Sequence, residues 1–188
     1  LTGDSAAGKT WATLTFGLSV ALGRPLWPSM APTEKRPVVL ITYEDSPALI
    51  GQRLRAIAAE HGIPWRDVAK AESSGMLSIF CTPEQPLLVA DGTGRPQPTS
   101  AWRQIKRHVL ALRPGLVVVD PLAAAMQYPE NDNGSASLAA AYLRNLATRS
   151  GAAVMLTAHT GKGGAGEAGQ HAMRGASSMT GACRWHAR

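Results

Sequence analysis

Gly3-Asp4-Ser5-Ala6-Ala7-Gly8-Lys9-Thr10 satisfies every constrained position of the spacing G-x-x-x-x-G-K-[ST]. The chemistry that needs these residue types is the grip on a polyphosphate. Gly3 and Gly8 let backbone N–H groups turn inward around phosphate oxygens, Lys9 reaches the β- and γ-phosphates of a nucleoside triphosphate, and the Thr10 hydroxyl holds Mg²⁺. All eight positions, Asp4, Ser5, Ala6 and Ala7 included, are therefore candidate ligand-binding residues. A helix that starts where the loop ends points its positive pole at the same anion.

Further candidates close apolar runs. Gly115-Leu116-Val117-Val118-Val119-Asp120 reads as a buried strand ending in a carboxylate, which suits Mg²⁺ directly or through water. Strands also end in Asp for turn reasons alone; the accompanying phosphate loop and Pro121 directly after Asp120 favour the metal role. A second run, Pro37 to Tyr43, is followed by Glu44-Asp45. Hydrolysis needs a carboxylate beside the attacking water that is not consumed as the main metal ligand. Glu44 is the favoured general base, and Asp45 competes for the same role. Ala152 to Ala158 ends at His159, which is either a sensor of the γ-phosphate or an ordinary turn histidine, and Lys162 carries a similar choice against a surface lysine. Arg53 and Arg174 are surface charges or, if they reach a neighbour's γ-phosphate, arginine fingers, an effect of about 10³- to 10⁵-fold.

The elements that must position these groups alternate. Apolar residues at helical spacing run from 9 to 22 until Gly23 and Pro25. Ser46 as cap and Pro47 at the first position open a helix that ends near Gly62-Ile63-Pro64, with Leu49, Leu54, Ile57 and Ala58 on its face. Residues 77 to 81 form a strand, and Asp91-Gly92-Thr93-Gly94 turns a hairpin within 86 to 98 that reads as a surface excursion. Helices over 99 to 112 and 134 to 149 complete the alternation. This order predicts an α/β fold, a mainly parallel sheet with helices on both faces, and puts Glu44, Asp120 and His159 at the strand C-termini where such folds bind ligands. The strand that ordinarily leads into a phosphate loop has no room before Gly3, so the sheet is expected to lack its first strand.

The 188 residues suit one domain, and 45% hydrophobic with 17% charged residues is a globular composition. No run reaches the roughly 18 apolar residues of a membrane span and no leader is apparent, so a cytoplasmic protein without a membrane partner is expected. Cys81 and Cys183 lack the spacing of a zinc site or disulfide framework and are expected to be buried free thiols. The net charge of +6 rests mostly on arginine, which suits anionic partners. Five glycines within 161 to 169 make a connector or a loop that orders around a partner.

Taken in order, the phosphate loop, Tyr43-Glu44-Asp45, Val118-Val119-Asp120-Pro121-Leu122, Glu130-Asn131-Asp132-Asn133-Gly134, Ala158-His159-Thr160-Gly161-Lys162 and Arg174-Gly175-Ala176-Ser177-Ser178 resemble RecA-like ATPases of the plasmid RepA helicase type. The resemblance covers nearly the whole chain. It implies a single RecA-like ATPase domain over 1–188, short of its first strand and of its final strands. It further implies ATP and Mg²⁺ as cofactors, a ring hexamer hydrolysing ATP between subunits, and single-stranded DNA as partner. Residue by residue, it implies Lys9 and Thr10 as phosphate and Mg²⁺ ligands, Glu44 as base, Asp120 as the Mg²⁺-associated carboxylate, His159 as sensor, and Arg53 and Arg174 as fingers acting in trans. The alternative is an ATP-dependent binding or regulatory switch that does not unwind DNA. No Asn-Lys-x-Asp segment supports guanine recognition, and Glu44 suits water activation better than a small-molecule kinase.

Overall fold

In the computed structural model, which describes residues 1–3, 8–27, 31–128, 132–159 and 177–183, two apolar strands form the middle of a parallel sheet. These are β2 (Val38–Thr42) and β6 (Leu116–Asp120), buried along their whole length. They pair in full register from Val38 opposite Leu116 to Thr42 opposite Asp120. Side chains alternate across a sheet. Val38, Leu40, Leu116 and Val118 accordingly enter one core, while Val39, Ile41, Val117 and Val119 enter another on the opposite face. Burial on both faces is why these runs are continuous rather than alternating in polarity.

The order across the sheet is β3 (Leu77–Cys81), β2, β6 and β8 (Ala153–Leu156), all parallel. The strand expected over 152 to 158 is interrupted at Thr157 and resumes as β9 (Ala158–His159), which pairs parallel with β1 (Thr2–Gly3). The strand leading into the phosphate loop is thus a two-residue stub in place beside β9, rather than wholly missing.

One face carries α1 (Lys9–Leu22), α2 (Pro47–Glu60) and α3 (Trp65–Ser73), packed through residues such as Leu14, Leu18, Leu54, Ile57 and Val68. The other carries α4 (Ser100–Leu112) and α6 (Asn133–Ser150), through Trp102, Ile105, Val109, Leu143 and Leu146. Each fully buried aliphatic side chain of this kind stabilises by about 1.5–3 kcal/mol. Ser46 caps α2 as expected, its hydroxyl accepting from the Leu49 N–H at 3.3 Å. Leu49 itself, assigned above to the packed face, is exposed, and Ile50 takes its place in the core.

The hairpin of β4 (Leu88–Ala90) and β5 (Pro96–Pro98) forms around Asp91, whose carboxylate accepts from the Thr93 N–H at 2.8 Å and the Arg95 N–H at 3.1 Å. It is not a surface excursion. After the short helix α5 (Leu122–Ala125), β7 (Met126–Gln127) pairs parallel with β4, and Leu87 and Leu88 are buried in the core. Cys81 and Cys183 are free thiols but half-buried rather than buried. A last short helix, α7 (Ser177–Ala182), inserts Met179 into the same core as α6.

Candidate active site

Among the described residues, three charged side chains are buried: Lys9, Asp45 and Asp120. Charged groups are almost never buried unless paired or put to use. All three belong to the C-terminal edge of the parallel strands or to the start of the helix above it. Asp120 ends β6 and Asp45 follows β2, while Lys9 opens α1, the helix packed across β2 and β6 on one face.

Gly8 makes the start of α1 possible, because its φ of 79° lies in the left-handed region that favours glycine. Among the described residues no side chain caps the helix, so its leading N–H groups face the loop end of the domain. Thr13, buried one turn on, donates its hydroxyl to the Thr10 carbonyl at 3.0 Å and fixes the first turn. Asp4, Ser5, Ala6 and Ala7 lie outside the described residues, as do Glu130, Asn131, Lys162 and Arg174.

Across the strand ends runs a row of polar groups. Cys81, Thr42 and Asp120 are in register, and Thr157, next to Asp120 on the far side, donates its hydroxyl to the Asp120 carboxylate. Thr42 and Asp120 continue the alternation of Leu40 and Val118, so they lie on the face covered by α1. Thr42 Oγ1 is buried and has no hydrogen-bond partner among the described residues. Burial pushes the Cys81 thiol up from its ordinary pKa, and the Asp45 charge adds to it.

Glu44 and Asp45 separate by environment. Glu44 is exposed, while Asp45 is buried and ion-paired with Arg53 of α2. Burial raises the Asp45 pKa, Arg53 opposes the rise, and the Asp120 and Glu44 charges reinforce it. Arg53 does not stand free on the outer side of α2. Its guanidinium turns back onto its own chain's Asp45 and lies 5.8 Å from the centre of the Trp11 ring. His159 ends β9 opposite Gly3, bringing the strand end expected to sense a phosphate beside the strand that enters the phosphate loop. Sequence reasoning missed Thr42 and Thr157, although each is a polar residue closing an apolar strand, and it missed the Asp45–Arg53 pair, which no local pattern announces.

No cluster of three or more His, Cys, Asp or Glu among the described residues could cage a metal. A buried carboxylate, a buried unsatisfied hydroxyl and a buried lysine at a helix start instead fit a Mg²⁺ that arrives with phosphate and keeps its water. A parallel sheet flanked by helices, with a glycine-lysine turn feeding a helix over the strand ends, is the architecture of a P-loop nucleoside triphosphatase. The sequence matches the family described as an AAA domain over residues 1–165, and the chain belongs to that family of P-loop ATPases. Its members generally use ATP with Mg²⁺. No curated protein sequence matches the chain. No helix among the described residues is long and apolar enough to cross a membrane.

Proposed function

We propose that ATP hydrolysis at the strand edge drives a RepA-like DNA helicase or translocase, a ring hexamer working on single-stranded DNA. The observation that carries the hydrolytic part is the gathering of Lys9, Asp45 and Asp120, the buried charges among the described residues, at one end of the sheet. Lys9 and the start of α1 would bind the phosphates, and Thr10 and Asp120 would hold Mg²⁺, which would supply neutralisation of the phosphate charge. Thr157 orients Asp120 by its hydrogen bond, keeping the carboxylate aimed from the end of β6.

Glu44 serves as the base that takes a proton from the attacking water. Its exposure supports this over Asp45, whose carboxylate is already committed to Arg53. His159 reads the γ-phosphate, and Arg174 enters a neighbour's site as a finger. Arg53 joins it in trans only by leaving Asp45, so in the isolated chain it holds the edge of the site together. The excess of arginine supports an anionic polymer as the partner.

The test is ATP turnover of the purified protein with and without single-stranded DNA, alongside strand separation of a tailed duplex. A motor shows DNA-stimulated turnover and unwinding. Turnover indifferent to DNA supports the second reading, an ATP-dependent switch, and rejects the first.

A further inference from the structure

Thr42 poses a problem that the rest of the core does not. Its hydroxyl is fully buried at the end of β2 and is the buried side-chain polar atom left without a hydrogen-bond partner among the described residues. Leaving such a group unsatisfied costs stability, and a valine of the same shape would avoid the cost. The position is also specific: Thr42 stands opposite Asp120 in the register of β2 and β6, on the face covered by α1, and adjacent strands lie about 4.8 Å apart. The neighbouring threonine on the other flank, Thr157, is satisfied by Asp120, so one carboxylate sits between two buried hydroxyls of which one is spoken for. An ionised carboxylate accepts at about four lone-pair positions and a hydroxyl both donates and accepts, so a single water bonds to both.

We infer that Thr42 is a positioning residue, its hydroxyl holding with Asp120 a water of the hydration shell of nucleotide-bound Mg²⁺. This rests on the ATPase reading above. Mg²⁺ dehydrates reluctantly and keeps several waters, so a protein recognises it as much through those waters as by direct ligation. Thr42 thereby gains the hydrogen bond that its burial otherwise denies it.

The experiment is titration of the full chain, loaded with a non-hydrolysable ATP analogue, with Mn²⁺ followed by electron paramagnetic resonance. Thr42→Val and Thr42→Ala should each weaken Mn²⁺ by about tenfold, the lower end of what loss of an outer-shell partner costs. Thr42→Ser, which keeps the hydroxyl, should stay within about twofold of wild type. Binding of the analogue in EDTA should be unchanged in all three, and Thr42→Val should melt no lower than wild type because it removes an unsatisfied polar atom. Unchanged Mn²⁺ affinity in the valine and alanine variants, or serine behaving like valine, overturns the inference and leaves the ATPase reading standing. Failure of the wild-type chain to bind the analogue with or without Mn²⁺ overturns the ATPase reading and this inference with it.

Discussion

Replacing Arg53 by methionine keeps an unbranched stem near Trp11 and removes the cation that Asp45 holds. Breaking a buried ion pair by deleting one partner costs about 3–5 kcal/mol, because the remaining charge stays buried and uncompensated. Arg53 retains 21% side-chain exposure and Asp45 9%, so water relieves part of that, and about 2–3 kcal/mol is expected. In a domain of this size each kcal/mol moves Tm by about 2–4 °C, giving a drop of roughly 4–12 °C at neutral pH. The pH dependence fixes the cause. Without Arg53, burial and the neighbouring Asp120 and Glu44 charges raise the Asp45 pKa in the fold above its unfolded value, so the penalty builds as pH rises through the folded value and is relieved as pH falls toward about 4. The variant should approach wild type in acid, and Arg53→Met combined with Asp45→Asn should melt close to Asp45→Asn alone. Thermal denaturation by circular dichroism across pH measures all of this. An Arg53→Met protein that melts with wild type at pH 7 refutes the view that the guanidinium compensates a buried carboxylate, and returns Arg53 to a purely intersubunit role.

Other outcomes follow from the same geometry. Glu44→Gln should slow ATP turnover by about 10²- to 10⁴-fold while calorimetry finds nucleotide affinity nearly unchanged, since the side chain is exposed at the strand end rather than part of the phosphate grip. Leu88→Ala should cost about 2–5 kcal/mol in urea unfolding, because Leu88 is fully buried where the hairpin joins the core; a cost under 1 kcal/mol would mean the hairpin is peripheral after all. Asp91 accepts from Thr93, Gln97 and Arg95, which hold its carboxyl below the usual range. Its contribution to stability is present above about pH 4 and lost as pH falls below that, so Asp91→Asn should lower Tm at neutral pH and flatten the decline in acid.

The parts legible in the sequence are those where local chemistry and tertiary demand agree. Ser46-Pro47 announces α2, the helix expected over 99 to 112 forms as α4, and the apolar runs of β2 and β6 can only be strands covered on both faces. The phosphate loop and the strand-end carboxylates were visible because their chemistry demands particular residue types. Helix α3 escaped notice because its buried contribution is Val68 and Ala71, too little to mark a periodicity, although Asp67 in its first turn and Lys70 in its last suit a helix. The packing of the hairpin depends on β7, some 30 residues further on and two residues long, a pairing that no local pattern encodes. The same holds for Asp45 and Arg53, whose meeting requires the turn from β2 into α2 to fold the helix back over the strand end.

Thr42 faces Asp120 across one continuous hydrogen-bonded ladder, so the hydroxyl and the carboxylate share a single reading frame in space. Gain or loss of one residue anywhere in 38–42 or 116–120 would leave composition and hydropathy almost untouched, yet would invert every later side chain in that strand. In β6, Asp120 would then exchange places with a valine and point into the opposite core. The spacing from Val38 to Thr42 and from Leu116 to Asp120 is therefore what keeps the hydroxyl and the carboxylate on the same side of one wall.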